Sequence, residues 1–279
     1  MAVRIVTDSA CDLSDEDLEK WGIGLVPLSL RFGDEEFIDR TELPTNEFYK
    51  RLSNSEHLPE TSAPAPGAFA AMFNKFHEEG ADAVVCINLS EALSATIQSA
   101  RTAASSDDVT VPVHVVNSKS VTGGLGSIVL SCAKAAKDGK SAEEIVALAE
   151  DMRDRTRVYA TLDTLENLKK GGRIGGAQAA FGAMLSIKPL LDLSSGEVVA
   201  AGKQRTRKKS LAWLREQLAD AGDVENLAVL HSNATDIESF TASISDIPGA
   251  KSARIDIIGA VIGTHGGPGI IGITYQIKG

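Results

Sequence analysis

The chain has 279 residues, 43% hydrophobic and 24% charged, with 38 Asp and Glu against 28 Lys and Arg for a formal net charge of −10. That length allows a substantial core in one large domain or two moderate ones, and the acidic excess disfavours non-specific attraction to nucleic acid or anionic lipid surfaces. No run approaches about 18 uninterrupted apolar residues, so stable membrane insertion is not expected. Asp8 interrupts the short apolar run of "MAVRIVTDSA" before any cleavage pattern, so no secretory leader is expected and the cytoplasm is the expected location. Cys11, Cys86 and Cys132 are an odd, widely spaced set with no C-x-x-C pair, which argues against a zinc site or a disulfide framework and makes them small apolar fillers.

In chain order, "VRIVT" (3–7) predicts a strand, and "LSDEDLEKWG" predicts a helix with Ser14 as N-cap, acids in its first turn and Gly22 as terminator. "LVPLSLRF" is β-like, but Pro27 cannot donate to a central ladder, which places this strand at a sheet edge, with Gly33-Asp34 turning it back onto "EEFI". A helix capped near Thr45, "PTNEFYKRLSN", leads to "ETSAPAPGAF", where Thr61 and Ser62 stand just before a Pro-Ala-Pro-Gly stretch that cannot be regular structure. Phe69, Met72, Phe73 and Phe76 then mark one face of a helix in "AFAAMFNKFHEEG". "DAVVCINLS" and "VPVHVVNS" read as buried parallel strands around the small-residue helix "SATIQSARTAAS". "GLGSIVLSCAKAAKDG" and "SAEEIVALAEDMRDR" complete this half as helices. The alternation of strand and helix points to a layered α/β sheet with its loops gathered at the strand C-termini.

From about residue 157 the texture changes. "VYATLDTL", "SIKPLLDL", "EVVAAGKQ", "NLAVLHS", "SARIDIIG" and "GIIGITYQI" are six strand candidates with fewer helices between them. "SSGEVV" carries the Gly of a hairpin, and the last two strands flank only "AVIGTHGGPG", so some neighbours should be antiparallel. The expected architecture is α/β: an N-terminal three-layer α/β/α domain with a mainly parallel sheet (1–156), then a C-terminal α/β domain with a mixed six-stranded sheet (157–279), packed across a cleft.

The chemistry-bearing residues fall in the loops: Asp8-Ser9, Thr61-Ser62, Ser90 with Ser94, Asn117-Ser118 and Thr264-His265. Singly, each reads as a cap for the helix after a strand. Together, hydroxyls converging at one rim beside helix N-termini make a carboxylate or phosphate site. Several familiar sites are excluded. "KDGKS" lacks the first P-loop glycine, since Lys134 stands there, and neither G-x-G-x-x-G after the first strand nor G-x-S-x-G occurs. The histidines at 57, 77, 114, 231 and 265 include no H-E-x-x-H and no pair at ligand spacing, so no metal is expected.

"GTHGGPGIIGI" surrounds His265 with glycines and a proline, which predicts a bent backbone holding the imidazole at a strand end. There it either makes a local hydrogen bond or, in its neutral form, donates to a ligand carboxylate. "LKKGGRIGG" and "KQRTRKK" concentrate basic charge in an acidic chain. They are either a solvated face or a docking surface; cations at the start of the helix "SLAWLREQLADAG" oppose its dipole, which favours an external acidic partner or phosphate. Lys169, Lys170, Arg173 and Arg205 are the docking candidates.

"VTDSACDL", "TSAPAPGAF", "LSATIQSA", "LENLKKGGRI", "KPLLDLSSGEV" and "HGGPGIIGI", in this order, resemble the DegV family from end to end. The resemblance implies a two-domain α/β fold that binds one long-chain fatty acid in a tunnel between the domains, with no other cofactor. It further implies that the acyl carboxylate is presented to a separate ATP-dependent fatty acid kinase that makes acyl phosphate, so this chain would be a carrier subunit in fatty acid metabolism, not an enzyme. By motif position, Ser62 and Ser94 would hydrogen-bond the carboxylate, with Thr61 and His265 adjacent in the network and Arg173 on the kinase-facing rim. The chain departs from the family pattern at Ala63 and Ala65, where polar residues are commoner, at Ala95 for Gly, and at Ile97 where Tyr is frequent, which bears on acyl chain preference. Burying a 16-carbon chain such as palmitate at roughly 0.8 kcal/mol per CH₂ supplies on the order of 10 kcal/mol, so the head group need only set orientation. Two rival readings make different demands. A hydrolase or transferase with Ser62 or Ser94 as nucleophile needs a Ser to His265 hydrogen bond of about 2.6 to 3.2 Å. A dihydroxyacetone-type kinase subunit needs a short polar pocket with His265 poised for covalent attachment.

Overall fold

The structure is a computed structural model that describes residues 2–181 and 187–279. Ser186, the first residue of the strand candidate "SIKPLLDL", lies outside the described residues. The chain opens with β1 (Val3–Asp8), a 3-10 turn at Ser9–Cys11 and α1 (Asp15–Trp21), whose Ser14 hydroxyl accepts from the Asp17 N–H and whose Gly22 closes the helix at φ +61°. β2 (Gly24–Val26), β3 (Ser29–Phe32), β4 (Glu35–Ile38), α2 (Thr45–Asn54), β5 (Glu60–Ser62) and α3 (Pro66–Glu78) follow. β6 (Ala83–Asn88), α4 (Thr96–Ala104), β7 (Val113–Asn117), α5 (Thr122–Lys137) and α6 (Ala142–Arg155) complete the first half. Ser141 and Glu144 close a reciprocal capping box at the start of α6.

β1, β2, β6 and β7 form an all-parallel sheet in the order β2-β1-β6-β7. Because every β6 residue is buried, the sheet must be covered on both sides. On one face Ile5, Val85 and Ile87 pack with Leu125, Ile128 and Ile145 of α5 and α6. On the other, Val6, Val84 and Cys86 pack with Phe69 and Phe73 of α3 and Ala100 of α4. All three cysteines are free and buried in these layers. Two expectations change. Pro27 splits the single strand expected over 25–32 into β2, which is the sheet edge, and β3, which leaves to centre a separate antiparallel sheet ordered β4-β3-β5. β7, expected as a buried strand, is the opposite edge and is mostly half-buried, since no strand among the described residues pairs with its outer side.

The second half contains β8 (Thr156–Thr161), α7 (Glu166–Lys170), α8 (Ala177–Phe181), β9 (Lys188–Asp192), β10 (Val199–Gln204) and α9 (Arg207–Asp220). It ends with β11 (Val224–His231), α10 (Ile237–Ile244), β12 (Arg254–Ile257), α11 (Ala260–Gly266) and β13 (Ile271–Ile277). All six strands join one mixed sheet, β10-β9-β8-β13-β11-β12, antiparallel except between β11 and β12. One face buries Ile271, Ile273 and Tyr275 under Leu214, Leu218 and Phe240 of α9 and α10. The other turns toward α5, where Leu230 and Thr274 crowd the Gly123–Gly124 pair. Two contacts pin the β12–α11 connection to the first half. The Tyr49 hydroxyl donates to the Ile258 carbonyl at 2.8 Å, and the Asp12 carboxylate accepts from the Gly259 N–H.

Candidate functional site

Thr61 and Ser62 lie on β5, paired with Leu30 and Ser29 of β3, and do not cap the following helix. Pro66 opens α3, with Ala65 at the cap position and no side-chain cap bond, so the two hydroxyls are left for other partners. His265 sits in the last turn of α11, not at a strand end as the glycine pattern led one to expect. α11 packs against β5, α2 and α7, and this brings the Thr61 Oγ1 within 2.8 Å of the His265 Nε2. The close fit depends on glycine: a Cβ on Gly171 would stand 2.3 Å from the His265 Nδ1, and one on Gly263 would stand 2.6 Å from the Tyr49 hydroxyl.

Burial, aided by the Arg173 charge, depresses the His265 pKa to about 4, so the imidazole is neutral at physiological pH. Its Nδ1 is buried and has no partner among the described residues. Ser94, on the loop between β6 and α4, has its hydroxyl 2.8 Å from the Thr96 hydroxyl and accepts from the Thr96 N–H at 3.2 Å. Arg173 donates to the Gly171 carbonyl at 2.7 Å and to the Leu93 carbonyl at 3.4 Å, which directs its side chain across the same opening.

Thr61, Ser62, Ser94, Arg173 and His265 all line one cavity, with about 1060 Å³ of empty space when the open solvent at its mouth is counted. Beyond this polar cluster the wall is chiefly apolar and comes from both halves, with Leu28, Leu89 and Val121 on one side and Leu191, Leu230 and Ile258 on the other. Ala63 and Ala95, two of the departures from the family pattern, line it as well, whereas Ile97 is packed away in the buried face of α4.

The other loop hydroxyls are spent on the fold. Asp8 accepts from the Ala10 and Leu89 N–H groups and from Asn88 Nδ2, and Ser9 accepts from the Leu28 N–H. Ser90 donates to the Gly196 carbonyl at 2.6 Å, Ser118 accepts from the Ser120 N–H, and the Thr264 hydroxyl donates back to Ala260 within α11. Lys169, Lys170 and Arg205 are exposed and do not line the cavity. At the start of α9 part of the basic charge has an internal counter-ion, since Arg207 holds Asp236 bidentately at 2.8 and 2.9 Å. Thr122, which also lines the cavity, was not marked by the sequence; its only signal was a Thr-Gly-Gly run after a strand. Among the described residues no group of His, Cys, Asp and Glu is placed to hold a metal ion, and no helix is long and apolar enough to cross a membrane.

A layered parallel sheet facing a mixed six-stranded sheet, with an apolar cavity under a hydroxyl, imidazole and guanidinium cluster, defines a class of small-ligand-binding α/β proteins. Within that class the chain belongs to the DegV family, whose profile, described as "Uncharacterised protein, DegV family", matches residues 2–278. A DegV domain-containing protein of Streptomyces coelicolor is 38% identical over 280 residues, with 99% of each chain covered. Among solved structures, a fatty-acid-binding DegV family protein from Thermus thermophilus superposes with a TM-score of 0.90 at 33% identity over 100% of both chains. DegV from Bacillus subtilis, a fatty acid binding protein, gives 0.86 at 32% identity, again over 100% of both chains. A stearic acid-binding protein from Eubacterium ventriosum gives 0.85 at 29% identity over 98% of both chains.

Proposed function

We propose that this protein binds one long-chain fatty acid between two domains, residues 1–156 and 157–279, and presents its carboxylate to a separate ATP-dependent kinase. The observation that carries the reading is the cavity itself: a chiefly apolar interior that ends at Thr61, Ser62, Ser94 and His265. The names of the structural neighbours support the same ligand class. Neutral His265 can donate through Nε2 to the Thr61 oxygen, which frees the Thr61 proton to be donated to a carboxylate. Ser62 and Ser94 supply two further neutral donors, and Arg173 supplies the nearby positive charge. Hydroxyl donors hold a carboxylate without the bidentate ion pair that a guanidinium would impose, leaving one oxygen free to accept a phosphoryl group.

The kinase-facing role rests on placement. Arg173 lines the cavity, while Lys169 and Lys170 are exposed on the adjoining α7, and the docking role extends to Arg205. Neither rival reading finds its signature. Among the described residues the His265 Nε2 bonds to Thr61 and not to a serine, and the cavity wall is chiefly apolar. Denaturing the purified protein and identifying co-purified small molecules by mass spectrometry tests the ligand class. A stoichiometric long-chain fatty acid is expected, and a polar metabolite or an empty protein that fails to take up added fatty acid would reject the reading. Transfer of phosphate from ATP to the bound acid by an added fatty acid kinase, weakened by Arg173→Ala, tests presentation.

A further inference from the structure

α11 carries His265 in its last turn, and the carbonyls at the end of a helix need donors from outside it. The Gly267 N–H, which closes this helix, goes to the Gly263 carbonyl at 2.8 Å. The next carbonyl, that of Thr264, would take the N–H four residues on, but that residue is Pro268, which has none. Thr264 is buried, so an unpaired carbonyl there would be costly.

The missing donor comes from α7. The Asn167 Nδ2 donates to the Thr264 carbonyl at 3.0 Å, across 97 positions of the chain. Because the Thr264 carbonyl and the His265 N–H belong to one planar peptide, this bond fixes the plane from which the His265 residue departs.

Asn167 reaches His265 by a second route. Its main-chain carbonyl accepts from the Gly171 N–H at 2.8 Å, and a Cβ on Gly171 would stand 2.3 Å from the His265 Nδ1. The imidazole is thus backed by Gly171 on its Nδ1 side and met by the Thr61 hydroxyl at its Nε2. α7 is itself anchored, since Leu165 and Leu168, on either side of Asn167 in the chain, are buried in the core of the second half. Asn167 does not line the cavity, so any effect it has on a ligand passes through the residues it holds.

We propose that Asn167 is the positioning residue of the head-group site: its side chain supplies the bond that Pro268 cannot make and so aims the His265 imidazole at Thr61 and the ligand carboxylate. The inference rests on the fatty-acid reading above and adds to it a residue that never touches the ligand. The side chain must be a donor, because aspartate here would set a carboxylate oxygen against the Thr264 carbonyl.

Asn167→Asp keeps the shape and removes the donor, and Asn167→Ala removes it without adding charge. Each is titrated with hexadecanoate by calorimetry after delipidation, in the otherwise native full chain and again in a His265→Ala background. In the native background affinity is expected to fall at least about fivefold. In the His265→Ala background the same substitution should change it by less than about twofold, because the group through which Asn167 acts is gone. The ring signals of His265 in ligand-free protein with isotope-labelled histidine, assigned among the five histidines by their absence in His265→Ala, are expected to shift in both variants. Ser210→Ala, which gives up a hydroxyl bond to the Arg207 carbonyl within α9, controls for a general loss of stability and should move neither readout. An equal loss of affinity with and without the imidazole, an unchanged affinity in the native background, or unshifted ring signals overturns the proposal. Failure of the native protein to bind hexadecanoate overturns the fatty-acid reading instead, and the ring signals, which need no ligand, then decide the positioning role.

Discussion

The Thr61 Oγ1 and the His265 Nε2 are 2.8 Å apart although 204 positions separate them in the chain. A hydroxyl on a three-residue strand of the first half and an imidazole on a short helix of the second thus form one polar unit at the mouth of the cavity. Thr61→Val keeps the shape, removes the donor and strands the imidazole nitrogen. Losing one such bond to a charged acceptor costs about 1.5–3 kcal/mol, so fatty-acid affinity should fall by roughly ten- to a hundredfold. Isothermal titration with a long-chain fatty acid reads this directly, and an unchanged Kd would remove Thr61 from the site.

Ser94 makes a separate case, because its hydroxyl already has a local partner in Thr96 at 2.8 Å. Ser94→Ala gives up that bond and the one from the Thr96 N–H, but Ser90 still ties the loop to Gly196, so the loop should stay folded at a small cost in stability while binding weakens by about five- to tenfold through loss of one donor. Thermal unfolding within a degree or two of wild type, together with weakened binding, assigns Ser94 to the ligand. Lowered stability with unchanged affinity would assign it to the loop.

Which parts of this arrangement were readable in advance depends on the range of the determining interactions. The cap at Ser14, the Gly33 turn and the six late strands are set by neighbours within a few residues, and these follow from local patterning. The chain also displays the residue types of the site. What local patterning does not contain is which of them meet. Ser9 and Ser90 have the same loop signature as Ser94, and only tertiary packing commits them to structural bonds. The helical setting of His265 is hidden because a segment containing Gly263, Gly266 and Gly267 has poor intrinsic helix propensity. It is helical because Tyr49, Asp12 and α7 press on it, and the glycines that weaken the helix are those that permit the approach.

Gly171 tests that close approach. A methyl group at this position would stand 2.3 Å from the His265 Nδ1 and 3.1 Å from the Asn167 carbonyl, so the imidazole must shift from its present position beside Thr61. Gly171→Ala is expected to cost about 1–3 kcal/mol of stability through overpacking and to weaken fatty-acid binding as much as removal of the imidazole by His265→Ala does. Chemical denaturation paired with ligand titration checks both. Full affinity in the alanine variant would show that the imidazole position does not matter to the ligand.

The pH dependence of stability is governed by buried carboxylates as much as by His265. Asp39 is 1% exposed with one oxygen unpartnered among the described residues, and burial raises its pKa to about 6 despite the Ser9 hydrogen bond and the Arg40 charge. A carboxyl group whose folded pKa lies above its unfolded value costs nothing below about 4, and its penalty grows as pH rises to about 6, above which it is fully present. His265 acts oppositely: with its folded pKa lowered to about 4, its contribution is complete above about 6.5 and is lost as pH falls toward 4. The two partly cancel in the wild type, so the informative quantity is a difference. Asp39→Asn removes the carboxyl titration and also the repulsion that the Asp39 charge exerts on Asp8 and Asp12, an effect of the same sign. Relative to wild type, the variant should therefore gain stability steadily between pH 4 and pH 6 by roughly 2–3 kcal/mol in total and change no further by pH 7.5. Urea denaturation at a series of pH values measures this. A variant-minus-wild-type difference that is flat across that window would mean that Asp39 is ionised at its ordinary pKa and that Arg40 fully compensates its burial.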